Sequence, residues 1–406
     1  MVAFRILTML IAFKYLSNHF GVSGFGLLSQ VMAIAALFST FAGGGLSNGL
    51  IKEVAGALDQ TEKVSWLKAG FAISLASAVM LFLVSIGLYL FGAKAVLGDS
   101  SLAWVFLLIG FAQILTGAGN TAQAYLSGIR DINSVALAGI MGAAFSVLLV
   151  VLGSYVFGLM GAVGACAIFA LSPSLFSILF LSMKQPKCIL SFRPIGFDIP
   201  RIKRLLRYSL AMIVTAAAVP LVLIYIRLRL SQAGGWEVVG HWQAVARIGD
   251  AYIQVFGTLF AIILLPRLAA LSGSKNLQAM YGFIPPVMIL FLLGGTVFWM
   301  FSPQILTLAY SADFTLSSNF VLPQLAADGL KILSSFFIYR FVALGRPQMQ
   351  ALGEIVQALT MFVTFIVLLP SFSGLAAVWS YAAGAAMVLV FAAVATAVDA
   401  SHRHVA

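Results

Sequence analysis

Charge is scarce in this sequence. Lys, Arg, Asp and Glu make up 9% of its 406 residues while 62% are hydrophobic, a balance that no soluble globular domain carries. Cysteine is scarcer still: Cys166 lies in an apolar run and Cys188 in a basic stretch, so neither a disulfide framework nor a metal cluster can be built from the pair. The four histidines, His19, His241, His402 and His404, show no ligand spacing, and no metal or other cofactor is expected. There is no phosphate-cradling glycine loop, no nucleophile elbow and no pair of acids placed as general acid and base, so catalysis is not expected. The apolar N-terminal segment lacks a small-residue cleavage site and leads straight into further apolar runs, which argues against a cleavable leader. A net charge of +11 would suggest nucleic acid in a soluble protein, but here the basic residues have to be placed against a membrane first, and no nucleic-acid partner is expected.

What is present is a series of apolar runs of membrane-crossing length. A window of about 20 residues places twelve spans near 1–17, 23–47, 69–91, 102–124, 135–157, 162–183, 208–229, 238–265, 280–301, 319–341, 349–370 and 375–398. With an even number both termini share a side, and assigning basic residues to loops on that basis leaves only Lys94 and Arg229 opposite the termini. The positive-inside rule then makes the termini cytoplasmic. The stretch from Lys184 to Arg207 is basic, holds Pro186, Pro194 and Pro200, and has no apolar run. It reads as a cytoplasmic linker, 184–207, between an N-terminal six-helix lobe (1–183) and a C-terminal one (208–398), with 399–406 as a cytoplasmic tail. Its basic cluster fits topology setting and contact with anionic headgroups. The fold class expected is an all-α polytopic membrane protein with about twelve helices in two parallel six-helix lobes around a central cavity.

The lobes carry traces of a repeat. Gly21 and Gly26 open the second span, and Gly235 and Gly240 open the eighth with the same separation; Lys14 and Arg227 precede them at matching offsets, and Lys52 and Arg267 follow. Copies of six spans each are parallel, related by an axis along the membrane normal. Glycines 43–45 suit a hinge or a close-packed helix end. Gly153, Gly158, Gly161 and Gly164 mark a tight turn with close helix packing, and Pro220, Pro285–Pro286 and Pro323 mark possible bends. The first span, at about 17 residues before a Ser17–Gly21 turn, sits at the lower limit for crossing, so the start of the chain reads as shortened.

Polar residues inside the spans are ordered. In the eighth, Gln243, Arg247, Asp250 and Gln254 are four, three and four apart, which puts them on one helical face. Gln324, Asp328, Lys331 and Ser335 repeat that spacing in the tenth, Gln350, Glu354 and Gln357 follow the helical period in the eleventh, and Gln113, Thr116, Asn120 and Gln123 give the fourth an uncharged polar face. An ionisable side chain at mid-bilayer costs roughly 2.5–3.5 kcal/mol on insertion scales and turns toward a partner or a cavity. The bland alternative is that Arg247 with Asp250, and Lys331 with Asp328, form local pairs that only lock packing. Lys14 and Arg227 have no acid within a helical turn and require partners from elsewhere, an anionic ligand among them. Arg340 and Arg5, near span ends, are expected to snorkel. Lys14, Arg227, Arg247, Lys331, Gln243, Gln254 and Asn120 are therefore candidates for substrate binding, and Asp250, Asp328, Glu354, Lys52 and Arg130 for coupling or gating.

The blocks WEVVGHWQAVARIGDAY (Trp236–Tyr252), LLPRL (Leu264–Leu268), ADGLK (Ala327–Lys331), LGEIVQ (Leu352–Gln357), SGIRD (Ser127–Asp131) and SNGLIKEVA (Ser47–Ala55) resemble the Wzx flippases of the multidrug/oligosaccharidyl-lipid/polysaccharide exporter superfamily, in particular those of enterobacterial common antigen synthesis. Against that family the chain looks shorter at its N-terminus, which leaves the role of Arg5 open. The resemblance implies a bacterial inner-membrane protein that moves a polyprenyl-diphosphate-linked oligosaccharide from the cytoplasmic to the periplasmic leaflet by alternating access. It also implies a short amino-sugar-containing glycan, and a polymerase and chain-length regulator of the same pathway as partners beside membrane lipids. Cations and amide or hydroxyl groups in a cavity suit a diphosphate bearing a sugar. Two rivals stay open: a cation-coupled drug exporter of the same superfamily, which the excess of basic over acidic residues disfavours, and a non-transporting membrane scaffold for polysaccharide assembly.

Overall fold

The computed structural model describes the backbone of residues 2–185, 198–271 and 273–405, and their side chains except at 2–3, 207–215, 273–274 and 400–405. Half of the expected linker, 186–197, thus lies outside the described residues. Among those described every regular element is helical: α1 (Val2–Ala42), α2 (Ser47–Gly56), α3 (Gln60–Gly87) followed by a π-helical turn, α4 (Ala93–Leu97), α5 (Trp104–Gly128), α6 (Ile132–Ala167), α7 (Leu171–Lys184), α8 (Ile199–Leu259), α9 (Leu265–Ala269), α10 (Gly273–Met300), α11 (Ser302–Ala309), α12 (Val321–Ala343), α13 (Gln348–Phe372) and α14 (Leu375–Val405). Nine stretches among these residues are long and apolar enough to cross a membrane. Large apolar side chains such as Leu83, Phe91, Phe157, Ile262 and Leu293 lie exposed on them, as a lipid-facing surface requires. The protein is a multi-pass membrane protein.

Nine stretches stand where twelve spans were expected because several run on through a single break. Phe4–Gly56 spans 53 residues and Ala216–Ala269 spans 54, each more than twice the roughly 20 residues that cross a bilayer. The breaks fall at glycine: Gly21 (φ 61°) in α1, Gly158 (φ 59°) in α6 and Gly234–Gly235 (φ 76° at Gly235) in α8. A left-handed residue reverses the chain where a side chain would be strained. The turn expected at Ser17–Gly21 therefore shrinks to Gly21, with Ser17–Phe20 still helical. Glycine breaks these helices and proline does not: α8 and α10 continue through Pro220 and Pro285–Pro286, and Pro323 lies in the first turn of α12, where a missing N–H costs nothing.

Two compact units emerge, Met1–Leu16 with Leu27–Pro220, and Ser17–Gly26 with Leu221–Ala406. In the first, α2, α3, α5 and α7 close over a core that includes Leu50, Trp66, Leu67, Tyr125 and Leu181. Glycine lets these helices touch: a Cβ on Gly119 would lie 2.2 Å from the Ser174 Cβ, and one on Gly161 would lie 1.8 Å from the Gly153 carbonyl oxygen. Gly44 and Gly45, at φ 62° and 67°, end α1 as a close-packed terminus, since a Cβ on Gly44 would meet Ile73 at 2.8 Å.

In the second unit the repeat glycines face one another. A Cβ on Gly26 would lie 2.2 Å from the Trp236 carbonyl oxygen, and a Cβ on Gly240 would lie 2.1 Å from that of Val22. Val22 follows Gly21 as Trp236 follows Gly235, so the two arms cross reciprocally, each glycine receiving the backbone of the other arm.

Candidate functional site

The polar face of α8 is graded along its length. Gln243 is buried, Arg247 half-buried, and Asp250 and Gln254 exposed. Arg247 and Asp250 form the local pair that their spacing allows, 3.7 Å apart, with the Asp250 side chain 67% exposed. The other arm of α8, before the Gly234–Gly235 break, carries Arg227. Its side chain is buried, its guanidinium lies 5.7 Å from the Trp242 ring centroid, and its Nε has no hydrogen-bond partner among the described residues. It forms no salt bridge among those residues either, though Arg247 and Asp250 both act on it electrostatically. Two guanidiniums against one carboxylate leave this corner net positive, in a segment where an uncompensated charge is costly. Trp242 was invisible as a partner in the sequence: it becomes one only when the break folds the arms together.

On α12 the matching spacing has a different outcome. Lys331 and Asp328 do not pair. Asp328 is fully buried and accepts hydrogen bonds from the Tyr252 hydroxyl and from Gln324 Nε2, the latter at 3.0 Å. Gly249 makes room for it, since a Cβ there would sit 2.8 Å from Asp328 Oδ2. Lys331 turns to α13 and donates to Gln357 Oε1 at 2.6 Å, with Glu354 Oε1 at 3.5 Å. These bonds bring together α8, α12 and α13, the three helices whose periodic polar faces carry charge. Tyr252 went unnoticed because a tyrosine on a lipid-length helix has no distinctive spacing.

Arg340 corrects an expectation. It does not snorkel; it is 2% exposed. Its Nε donates to Asn276 Oδ1 at 3.0 Å and its Nη2 to Asp399 Oδ2 at 3.0 Å, while Arg346 Nη1 reaches the other carboxylate oxygen at 2.9 Å. Asp399, at the expected start of a tail, is therefore buried between two arginines. Burial without a carboxylate would be prohibitive for Arg340, and that carboxylate comes from 59 residues away.

In the first unit the periodic polar face, on α5, is neutral. In α5 Gln113 and Thr116 bond to the carbonyls of Ile109 and Ala112, at 2.9 and 2.8 Å, and Thr121 shares a 2.5 Å hydrogen bond with Ser74 of α3. Asn120 donates to the Ser39 carbonyl of α1 at 3.1 Å and borders a cavity of about 320 Å³. Lys14 is half-buried in α1, while Arg5 and Lys52, the latter on α2, are exposed. Arg130 is exposed in the α5–α6 turn at φ 62°. Beside it Asp131 caps α6, accepting from Ser134 N and Oγ, with Lys184 at 3.3 Å. Its carboxyl is held below the usual carboxylate range, chiefly by the Ser134 hydroxyl, against a smaller opposing effect of burial. Arg204 pairs with Glu53 at 2.8 Å and, like Arg201, lies over Trp66. Lys14 and Asn120 lie in the first unit, and Arg227, Arg247, Lys331, Gln243 and Gln254 in the second.

Long apolar helices broken at glycine, with basic and acidic side chains held inside them, define a membrane transport fold. The solved structures agree on the fold. An inward-facing multidrug resistance MATE family transporter of the MOP superfamily superposes with TM-score 0.72 at 14% identity, covering 99% of this chain and 98% of its own. The lipid II flippase MurJ in an inward closed conformation gives TM-score 0.72 at 14% identity over 97% of this chain and 86% of its own. The chain belongs to the polysaccharide biosynthesis protein family, whose profile matches residues 2–272. The lipid III flippase of Escherichia coli (strain K12) is 27% identical over 385 residues, 91% of this chain and 89% of that protein.

Proposed function

We propose that this protein is a lipid-linked oligosaccharide flippase of the Wzx type. It moves a polyprenyl-diphosphate-linked glycan from the cytoplasmic to the periplasmic leaflet of a bacterial inner membrane without catalysing a reaction. The observation that carries this reading is Arg227, a buried cation with an unpartnered Nε, stacked on Trp242, in a corner where arginine outnumbers carboxylate. A diphosphate supplies the missing anion, and charge-assisted bonds to phosphate are the strongest polar contacts available there. Similarity to the lipid III flippase over nine-tenths of the chain supports the substrate class. The glycine breaks support a division of the nine continuous stretches into twelve spans, six per lobe, with both termini cytoplasmic. Alternating access between the lobes then presents the site to each leaflet in turn while the lipid tail stays in the bilayer.

Lys14 is a second candidate for the diphosphate, on the span that matches that of Arg227 in the other unit, and Arg247, Lys331, Gln243 and Gln254 line the path in the second unit. Asp328, buried and bonded by two neutral donors, is the group best suited to take up a proton or sodium ion when the empty carrier resets; Glu354 and Asp250 are weaker candidates because each already sits beside a base. Lys52 and Arg130 serve at the cytoplasmic ends. A diphosphate diester carries close to two negative charges, and each moved outward across an inside-negative potential releases about 2.3 kcal/mol per 100 mV. The potential therefore favours delivery, because lining residues near the midplane shift little as lobes rock. The test is to deplete the protein and identify the lipid-linked intermediate that accumulates on the cytoplasmic side, then to complement with Arg227→Ala at matched expression. Full complementation by that variant sinks the reading. In reconstituted vesicles the initial rate should rise with an inside-negative potential, and a rate indifferent to clamping or reversing the potential removes the electrical part.

A further inference from the structure

The cavity of about 320 Å³ in the first unit, bordered by Ser39, Thr40, Phe41, Ser47, Asn48 and Asn120, has a chemistry unlike that around Arg227. No charged residue lines it among the described residues, so an ion or a phosphate finds no counter-charge among them. Asn120 and Thr40 retain hydrogen-bonding capacity. The Asn120 amide spends one N–H on the Ser39 carbonyl, which fixes the amide plane and leaves its second N–H and its carbonyl oxygen available. The Thr40 hydroxyl donates to the Ala36 carbonyl at 3.0 Å and keeps its lone pairs for accepting. Ser47 and Asn48 stand exposed on the first turn of α2, and Phe41 adds one apolar face. Gly43 holds the arrangement together: a Cβ there would press on the Asn120 Cβ at 3.2 Å, so the glycine lets α1 and α5 approach closely enough for both to border the cavity. The volume sits at the lower end of small-molecule sites, about 300–1,000 Å³.

Mixed donors and acceptors without charge, beside a single aromatic face, match one chemical class best: a neutral pyranose, whose hydroxyls both give and accept and whose ring presents a C–H face. We propose that this cavity is a glycan subsite that holds one sugar unit of the transported molecule in the first unit, separate from the cationic corner of the second. The proposal rests on the flippase reading and has the sugar read in this cavity by neutral hydrogen bonds.

Binding to the full-length protein in lipid nanodiscs, with undecaprenyl diphosphate and undecaprenyl-diphosphate-linked N-acetylglucosamine as probes, tests it. The wild type should bind the sugar-bearing probe more tightly. Asn120→Ala and Ser47→Ala should each weaken that probe by roughly three- to tenfold, the effect of one lost hydrogen bond, and leave the bare diphosphate unchanged, whereas Arg227→Ala weakens both. Equal losses on both probes, or none on either with Ser47→Ala, an exposed position that does not threaten folding, overturn the subsite. If the wild type binds neither probe, the flippase reading fails on its own. The subsite is then decided by alkylation of Ser47→Cys in a background lacking Cys166 and Cys188: slowing by methyl N-acetylglucosaminide upholds it, and an unchanged rate rejects it.

Discussion

The fourth expected span in the first unit and the eighth and tenth in the second carry polar residues at the same helical spacing, yet the structure uses them in opposite ways. Gln113 and Thr116 bond to carbonyls one turn back on their own helix, a closed arrangement that amides and hydroxyls reach without help. Asp328, Lys331 and Arg340 cannot do this, because a charge inside a span needs a counterpart or several donors at once. They reach residues 76, 26 and 59 positions away. Periodicity therefore tells where polar groups face, while charge forces a partner from another helix and neutral groups take either course. In this protein the neutral helix reaches outward through Asn120 to α1 and Thr121 to α3, and the charged helices build a network.

Arg340 offers the most severe way to break that contrast. Replacing it with Ala takes one of two arginines from Asp399 and the donor from Asn276 Oδ1, and a thermal melt of the purified protein should show a loss of about 3 kcal/mol, the low end for a broken buried pair because Arg346 stays on the carboxylate. Replacing Arg340 and Asp399 together with apolar residues should recover much of it. A loss under about 1 kcal/mol for Arg340→Ala would mean that the cluster contributes little to holding α12 and α14 together.

Next comes Arg227, where the effect is on transport and the protein stays folded. Arg227→Ala should slow flipping by about two orders of magnitude, the worth of a charged hydrogen bond, and Arg227→Lys should recover part, since a point charge does not reproduce the planar fork. Equal activity of the Lys and Ala variants would show that charge alone is not what the site requires. Asp328→Ala should cost about 1–3 kcal/mol by orphaning two buried donors, and Tyr252→Phe less. If both variants melt like the wild type, the network is not structural.

Smaller effects sharpen the comparison at a helix cap in the first unit and at a local ion pair in the second. Asp131→Ala removes the cap of α6 and should cost about 1 kcal/mol. Because the folded carboxyl is held below its ordinary value, that stabilisation is present above the unfolded value of about 3.9 and is lost as the pH falls through the lower folded one. Melts of wild type and Asp131→Ala should therefore converge below about pH 4 and differ at pH 7. Smallest of all, a double-mutant cycle on Arg247 and Asp250 should give a coupling below about 1 kcal/mol in stability, since Asp250 is largely exposed. The double variant should still fail to transport.

Much of the fold could be read from residue order. The glycine pairs at 21/26 and 235/240 marked both a repeat and, as it proved, the two breaks and their reciprocal crossing, because a left-handed turn and a backbone contact each demand glycine and leave it in the sequence. The faces of α8, α12 and α13 were legible for the same periodic reason. Partners were not. Nothing local to Arg340 points to Asn276 or Asp399, 64 and 59 residues distant, and its nearness to a helix end suggested escape to the interface. The local pair that spacing allowed between Lys331 and Asp328 does not form, because packing gives Asp328 to a tyrosine and the lysine to another helix. The glycan-sized cavity was legible only in Asn120, since its other walls come from the end of α1 and the start of α2.

The crossing of the Gly26 and Gly240 arms also sets an order of events during synthesis. Of the two arms, that of Val22 and Gly26 leaves the ribosome first, and the backbone that fills its groove, Trp236 to Gly240, follows about 210 residues later. At roughly 5–20 residues per second, the first arm waits on the order of 10–40 s in the bilayer with its glycine face open. A nascent chain halted before Trp236 should therefore leave that arm accessible to crosslinking by insertion factors, and one halted beyond Gly240 should release it.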